Sequence, residues 1–220
     1  SPSDVLACRG AGARRVGGID VSLRTQQTIR ARSRHWACAG RARGIGRELA
    51  PGELPAATAI GHPRRSGRFQ LYWLAARDAG IPLENPRQTQ AWRYPRQYGP
   101  QAPGFARAML PADAGMPLLL SGTAAVVGHA SQHGDSPAAQ LDETLANLDS
   151  LVATARARRP ALATHFGADS RLKVYVRDAA ALPQVAALLE ARLPAAVPRI
   201  VLHGQVCRRE LAVEIDGTHA

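Results

Sequence analysis

Arginine, tyrosine and proline crowd one stretch of this chain: Trp92-Arg93-Tyr94-Pro95-Arg96-Gln97-Tyr98-Gly99-Pro100, followed by Phe105-Ala106-Arg107-Ala108. Arg93, Arg96 and Arg107 supply three guanidiniums, and Tyr94 and Tyr98 two phenols, within about fifteen residues. A planar guanidinium fork suits a carboxylate, which it can grip through two parallel hydrogen bonds, and a phenol beside it adds a directional hydroxyl. Pro95, Pro100 and Pro103 fix φ and forbid a continuous helix, which predicts a stiff, extended loop. An Arg- and Pro-rich surface connection would have the same composition, so this stretch alone does not settle its own role.

Three other places carry groups with chemical potential. The segment Glu210 to Asp216 alternates Leu211, Val213 and Ile215 against Glu210, Ala212, Glu214 and Asp216, which predicts a strand with the carboxylates facing a cleft or solvent. Cys207 and Arg208 precede it: the thiol reads first as a packing residue, the guanidinium as a carboxylate partner at the mouth of the strand. Lys173, Tyr175 and Arg177 share one face of a second predicted strand, a pattern equally expected of a solvated sheet face. His129, His133 and Glu143 invite a metal reading, but their spacing fits no helical His pair and Gly134 and Pro137 break the segment, so no metal is expected.

Composition narrows the partners. The net charge of +11 comes almost wholly from Arg, Lys173 being the only lysine, and residues 111–220 carry ten basic and eleven acidic groups. The excess therefore sits in the first half, without RNA-binding signatures or basic stripes interleaved with aromatics, and no nucleic-acid partner is expected. A positive bias still attracts a dianionic small molecule. No run of eighteen apolar residues and no charged-then-apolar leader is present, so neither membrane insertion nor secretion is expected. Cys8, Cys38 and Cys207 are odd in number and fit neither a disulfide framework nor a zinc site, which is consistent with a reducing cytoplasm.

The positioning elements follow from periodicity. Residues 1–35 sustain no helical or strand period and read as a truncated or poorly ordered N-terminal remnant. Arg68 to Ala75 alternates as a strand, and Pro117 to Thr123 is a short apolar strand ending in small residues that let another group approach the backbone closely. Ser136 and Pro137 open a helix whose stripe of Leu141, Leu145, Leu148 and Val152 runs to about Arg158. Arg171 to Arg177 reads as a strand, Leu182 to Arg192 as a second helix, and Ile200 to His203 as another strand. This order implies a mixed sheet with helices packed on one face, an α/β (α+β) arrangement.

Three motifs in order, the Arg/Tyr loop, Ser121-Gly122-Thr123-Ala124-Ala125-Val126-Val127-Gly128-His129, and Cys207 through Gly217, resemble the chorismatases, enzymes that remove pyruvate from chorismate. The resemblance runs from about Trp36 to the C-terminus. It implies a RidA-like fold, with residues 36–103 as the rest of an N-terminal region carrying the loop and 104–220 as the catalytic domain. It also implies that Glu214, in the family's Val-Glu-Ile segment, is the general acid that protonates the methylene carbon of the enolpyruvyl ether. Such an acid works near neutral pH when burial or a like charge raises its pKa, and Asp216 on the same strand face is the expected like charge. Arg93, Arg96, Arg107 and Arg208 would hold the two carboxylates, and Tyr94, Tyr98 and Tyr175 would fix orientation. Gly122, Thr123 and Ala124 would form the close backbone approach, Cys207 would shape the pocket beside the ring, and Arg177 would close the site with Tyr175. His129 would belong to the pocket wall. No cofactor is implied, and the expected state is a monomer or weak self-association.

Two positions depart from the family wording, Ala125 where Ser is common and Gly104 where Ser usually precedes Phe105. The Arg-Tyr-Pro-Arg-Gln-Tyr-Gly-Pro wording most resembles the hydroxybenzoate synthases. The other readings are simple hydrolysis to a dihydroxycyclohexadiene carboxylate, a RidA-like imine or enamine hydrolase, and an inactive binding fragment.

Overall fold

A computed structural model describes residues 6–7, 50–62 and 74–220. The expectation for residues 1–35, apart from Leu6–Ala7, lies outside the described residues, as does the predicted strand at 68–75 apart from its last two positions. Ten strands and two α-helices are described: β1 (Leu6–Ala7), β2 (Leu74–Ala75), β3 (Ile81–Leu83), β4 (Ala108–Leu110), β5 (Leu118–Ala124), β6 (Val126–Val127), β7 (Ala130–Ser131), α1 (Pro137–Arg156), β8 (Arg171–Val176), α2 (Leu182–Arg192), β9 (Arg199–His203) and β10 (Val213–His219). β1 pairs with β2 and β6 with β7, each pair a separate two-stranded ribbon.

The main sheet has the order β3-β4-β5-β10-β8-β9, antiparallel throughout except for the parallel pair β8 and β9. β5 and β8 both run antiparallel to β10 and hence parallel to each other, so the last strand of the chain is inserted between two strands joined by α1. Both helices are crossovers, α1 from β5 to β8 and α2 from β8 to β9, and both pack into the one core against the sheet, as the order of the predicted elements implies.

Sequence explains the helices well. The Ser136 hydroxyl accepts the Ala139 N–H at 3.2 Å, and Pro137 occupies the first turn, where its missing N–H costs nothing. Leu141, Leu148, Leu151, Val152 and Ala155 of α1 are buried against Leu118, Leu120, Val174, Val176, Val213 and Ile215 of the sheet. Burial of each such leucine contributes about 1.5–3 kcal/mol, which outweighs the small propensity differences within the helix. No helix among the described residues is long and apolar enough to cross a membrane.

Two buried amides join the helix face to the loops that frame the opposite end of the sheet. Gln140 donates to the carbonyls of His133 and Glu210 and accepts the Ala212 N–H at 2.7 Å. Asn147 donates to the carbonyls of Ala124 and Val126 at 3.0 Å and accepts from Arg87 Nε. Being fully buried, each amide makes α1 a ruler for the position of the β5–β6 turn and of the segment entering β10.

β10 begins at Val213, three residues later than the alternation predicts, because Leu211 N–H closes a turn on the Arg208 carbonyl before the strand starts. The period-2 pattern therefore does not extend back to Glu210. Leu211 joins a second apolar cluster with Ala124, Ala125, Val126 and Val206, while Ala212 packs on the main core. Within β10, Gly217 faces the neighbouring strand so closely that an added Cβ would lie 2.0 Å from the Arg171 carbonyl oxygen. Gly217→Ala is expected to destabilise the fold by about 2–3 kcal/mol through forced backbone displacement. Urea unfolding measures this, and an unchanged midpoint would contradict the packing described.

Candidate active site

The open face of the sheet, opposite the helices, carries Tyr175, Glu214 and Ala124 side by side in register across β8, β10 and β5. Lys173 and Asp216 form the next row. The β5–β10 register shifts between Ile215 and Gly217, so that Ser121 and Gly122 together oppose Asp216, a β-bulge beside Glu214. Gly122 is essential to this geometry: a Cβ built on it would sit 2.1 Å from Glu214 Oε1 and 3.0 Å from the Thr58 methyl. The close approach expected at the small residues of β5 is thus made by Glu214's own carboxyl group. Thr123 is buried and spends its hydroxyl on the Ser121 carbonyl at 3.0 Å, and Ala124 belongs to the second apolar cluster.

Residues 55–62 cross this face as a strap. Ala106 N–H bonds the Pro55 carbonyl, and Ala57 N–H bonds Ser121 Oγ at 2.9 Å. Thr58 then meets Gly122, Ile60 packs beside Gly204 and Tyr175, and Gly61 exchanges two backbone bonds of 2.8 Å with Gln205. Glu214 lies beneath this cover and is only 4% exposed. The Cys207 N–H donates to Glu214 Oε2 at 3.4 Å. The Cys207 side chain is exposed, which corrects the expectation of a buried packing cysteine: the turn after Gln205 leaves it outside both apolar clusters.

Asp216 does not act as the lone like charge expected beside Glu214. Lys173 Nζ sits 2.9 Å from Asp216 Oδ1, and the Tyr175 hydroxyl donates to Oδ2 at 3.3 Å. Burial opposes charge on Lys173, yet the hydrogen bond and charge of Asp216 hold its ammonium above the ordinary lysine range. Burial, reinforced by the Asp216 charge, pushes the Tyr175 phenol up and keeps it protonated. Asp216 is thereby locally compensated by Lys173 and Tyr175.

The Arg/Tyr loop is built as two 3-10 turns, Ala91–Arg93 and Arg96–Tyr98, rather than an extended run. Pro95 caps the second turn in extended geometry, so the prolines separate the turns instead of straightening the loop. The two turns place Tyr94 and Tyr98 with ring centroids 5.7 Å apart. Arg107, buried at the start of β4, donates to the Tyr94 hydroxyl at 2.6 Å and the Thr89 carbonyl at 2.8 Å, and lies over the Tyr94 and Phe105 rings. Arg208 stacks on Tyr98 at 3.8 Å and on Tyr94 at 5.0 Å, and donates to the His129 carbonyl and Ser131 Oγ. Tyr98 OH and His129 Nδ1 share a bond of 3.1 Å, which places His129 on the wall of this cluster. Two donors, Arg107 Nε and Arg208 Nη2, are buried without a hydrogen-bond partner among the described residues. Burial pushes the Glu84 carboxyl up, with the Arg107 charge opposing it.

Several expected residues lie elsewhere. Arg93 is exposed and stacks on Trp92 at 5.0 Å, and Arg96 is exposed on the second turn, so neither joins the Tyr94–Arg107–Arg208 cluster. Tyr94, just after the first 3-10 turn, and Tyr98, in the second, are half-buried, whereas Arg93 and Arg96 are exposed. Arg177 lies one residue past β8, and its guanidinium is engaged by main-chain and side-chain acceptors of residues 205–211 instead of opening to the cleft. His133 and Arg87 both bond Glu143, away from His129. Sequence reading missed Thr58, whose proximity to Glu214 arises from contacts far apart in the chain, and missed the buried amides of Gln140 and Asn147.

No family model matches the chain. Among curated proteins it is 35% identical over 189 residues to a 3-hydroxybenzoate synthase of Streptomyces hygroscopicus, covering 82% of this chain and 55% of that protein. It is 37% identical over 191 residues to a chorismatase of Streptomyces rapamycinicus, covering 83% and 56%. A crystal structure of a chorismatase superposes with a TM-score of 0.73 at 36% identity, over 83% of this chain and 56% of that one. The chain is a member of the chorismatase family and spans just over half the length of the curated relatives it matches.

Proposed function

We propose that this chain converts chorismate to pyruvate and a hydroxybenzoate, with 3-hydroxybenzoate as the ring product. The observation that carries the reading is the buried Glu214, placed against Gly122 and bonded by the Cys207 N–H, one residue before Arg208, which stacks on Tyr94 and Tyr98 while Arg107 bonds Tyr94. The similarity to a 3-hydroxybenzoate synthase supports the choice of product.

Glu214 in its protonated form delivers a proton to the methylene carbon of the enolpyruvyl ether. The resulting oxocarbenium centre is attacked by water, and collapse of the adduct breaks the bond to the ring oxygen, releasing pyruvate. Net loss of one water from the ring restores the balance and gives the aromatic acid. Departure of the ring without that loss would give the dihydroxycyclohexadiene carboxylate.

Arg107 and Arg208 bind the two carboxylates, and their Nε and Nη2 donors, which have no hydrogen-bond partner among the described residues, are the kind of group a dianion satisfies. Tyr94 and Tyr98 set the guanidinium planes by stacking, while Tyr175 and the Ala124–Val206–Leu211 cluster form the floor beside the acid. Cys207 shapes the pocket next to the ring. Gly122 acts by leaving room for Glu214, Thr123 and Ala124 by forming the strand that carries it. Arg93 and Arg96, on the outer side of the loop, add positive potential that draws the dianion in.

Incubation with chorismate, with pyruvate read by a coupled lactate dehydrogenase reaction and the ring acid by chromatography, tests the reading. Equimolar pyruvate and 3-hydroxybenzoate are expected; no pyruvate from folded protein would refute it. Arg107→Lys is expected to lower kcat/KM roughly 30–100-fold, chiefly through KM, because an ammonium cannot reproduce the fork that bonds Thr89 and Tyr94 while gripping a carboxylate. Steady-state kinetics check this, and an unchanged KM would remove Arg107 from substrate binding.

A further inference from the structure

We propose that Arg177 is a positioning residue that fixes the 205–211 turn, and through it both the Cys207 N–H facing Glu214 and the Arg208 guanidinium facing the tyrosines. Its Nε donates to the Leu211 carbonyl at 2.8 Å, Nη1 to Gln205 Oε1 at 2.8 Å, and Nη2 to the Val206 carbonyl at 2.6 Å and to the Arg208 carbonyl. A guanidinium has five N–H donors in a rigid fork, and these bonds use four of them. No pair is left for a bidentate grip on a substrate carboxylate. All four acceptors belong to the turn between β9 and β10.

The turn has a second tie. Gln205, whose side chain Arg177 holds, exchanges two backbone hydrogen bonds with Gly61 of the strap. Arg177 therefore fixes, from one point at the end of β8, the turn that contacts Glu214 and the attachment of the strap that covers it. A lysine at this position keeps the charge but offers three donors from one atom, which cannot span acceptors at residues 205, 206, 208 and 211 together. The arrangement also explains why the residue falls in register with Tyr175 in sequence yet takes no part in the open sheet face.

The catalytic consequence rests on the chorismate-cleaving reading, whereas the structural one does not, and the experiment separates them. Arg177→Ala and Arg177→Lys are compared with the unaltered 220-residue chain by hydrogen–deuterium exchange and by pyruvate release from chorismate. In both variants, amides of residues 204–212 are expected to exchange about tenfold faster or more while α1 and β5 keep their protection. kcat/KM is expected to fall roughly 100-fold, as for misplacement of a catalytic group by about 1 Å, and methylguanidinium is expected to restore part of it to Arg177→Ala but none to Arg177→Lys, whose side chain fills the site. Unchanged exchange in 204–212, or loss of protection spread evenly over the sheet and helices, would overturn the proposal, as would a kcat/KM within threefold of the unaltered chain. If the unaltered chain releases no pyruvate, the functional reading fails, and the exchange pattern alone decides the role of Arg177.

Discussion

Replacing Glu214 with Gln is expected to lower kcat for pyruvate release about 10²–10⁴-fold, the usual contribution of a positioned acid, while leaving KM and the fold nearly unchanged. Gln has the size of Glu, and its amide oxygen can still accept the Cys207 N–H that lies 3.4 Å from Oε2. It carries no transferable proton. The loss therefore isolates proton delivery from packing, which a change to Ala would confuse by opening a cavity under the strap. Binding of chorismate, measured by calorimetry under conditions where turnover is lost, should persist, because the guanidinium cluster is untouched. A kcat within about fivefold of the unaltered chain would assign the proton to another group.

Gly122→Ala is the second large effect expected. The added methyl would lie 2.1 Å from Glu214 Oε1 and 3.1 Å from Cδ, with the Thr58 methyl at 3.0 Å closing the other side. The backbone at this position is ordinary strand, so the strain is wholly a matter of space, and the carboxyl group is the part that must move. A displacement of about 1 Å is enough to cost roughly 10²-fold in rate. The fold should lose about 1–3 kcal/mol from overpacking, which thermal unfolding measures separately. The informative experiment combines both substitutions. If Gly122 acts only by making room for the acid, then Gly122→Ala should add little to the loss already caused by Glu214→Gln, the non-additivity expected of groups that work as a unit. Full additivity would mean that Gly122 serves something other than Glu214.

The parts of this molecule that sequence makes legible are those governed by local rules. The Ser136 cap, Pro137 in the first turn and the leucine stripe of α1 each act over one or two helical turns, and the helix is found where they place it. The Arg171–Val176 strand follows its alternation because Leu172, Val174 and Val176 are buried in the core under the helices while Arg171 and Lys173 face out. Failures begin where local pattern meets tertiary geometry. Arg177 continues the alternation of Lys173 and Tyr175 in sequence, but the strand ends at Val176, and the next side chain is free to turn toward 205–211. Likewise Glu210 to Ala212 alternate with β10 yet form a turn, and the strand begins only at Val213.

For the site, residue types conveyed the chemistry better than the geometry. Tyr94, Tyr98, Arg107 and Arg208 come together as their chemistry suggests, although Arg208 is about a hundred residues from the others. Arg93 and Arg96 are indistinguishable from Arg107 by type, yet both are exposed on the 3-10 turns whereas Arg107 is buried. The compensation of Asp216 by Lys173 and Tyr175, the bulge at Ser121–Gly122 and the strap carrying Thr58 depend on register and on contacts between distant segments. No local pattern encodes these.

Proton transfer from Glu214 to the methylene carbon of chorismate's enolpyruvyl ether can be followed by running the reaction in D₂O with lactate dehydrogenase and NADH present, so that pyruvate is trapped as lactate before its methyl group exchanges. Mass spectrometry of the lactate is expected to show one solvent deuterium in the methyl group from the unaltered chain, formed far faster than by Glu214→Gln. Lactate without that deuterium, or no more lactate than Glu214→Gln produces, would contradict the account.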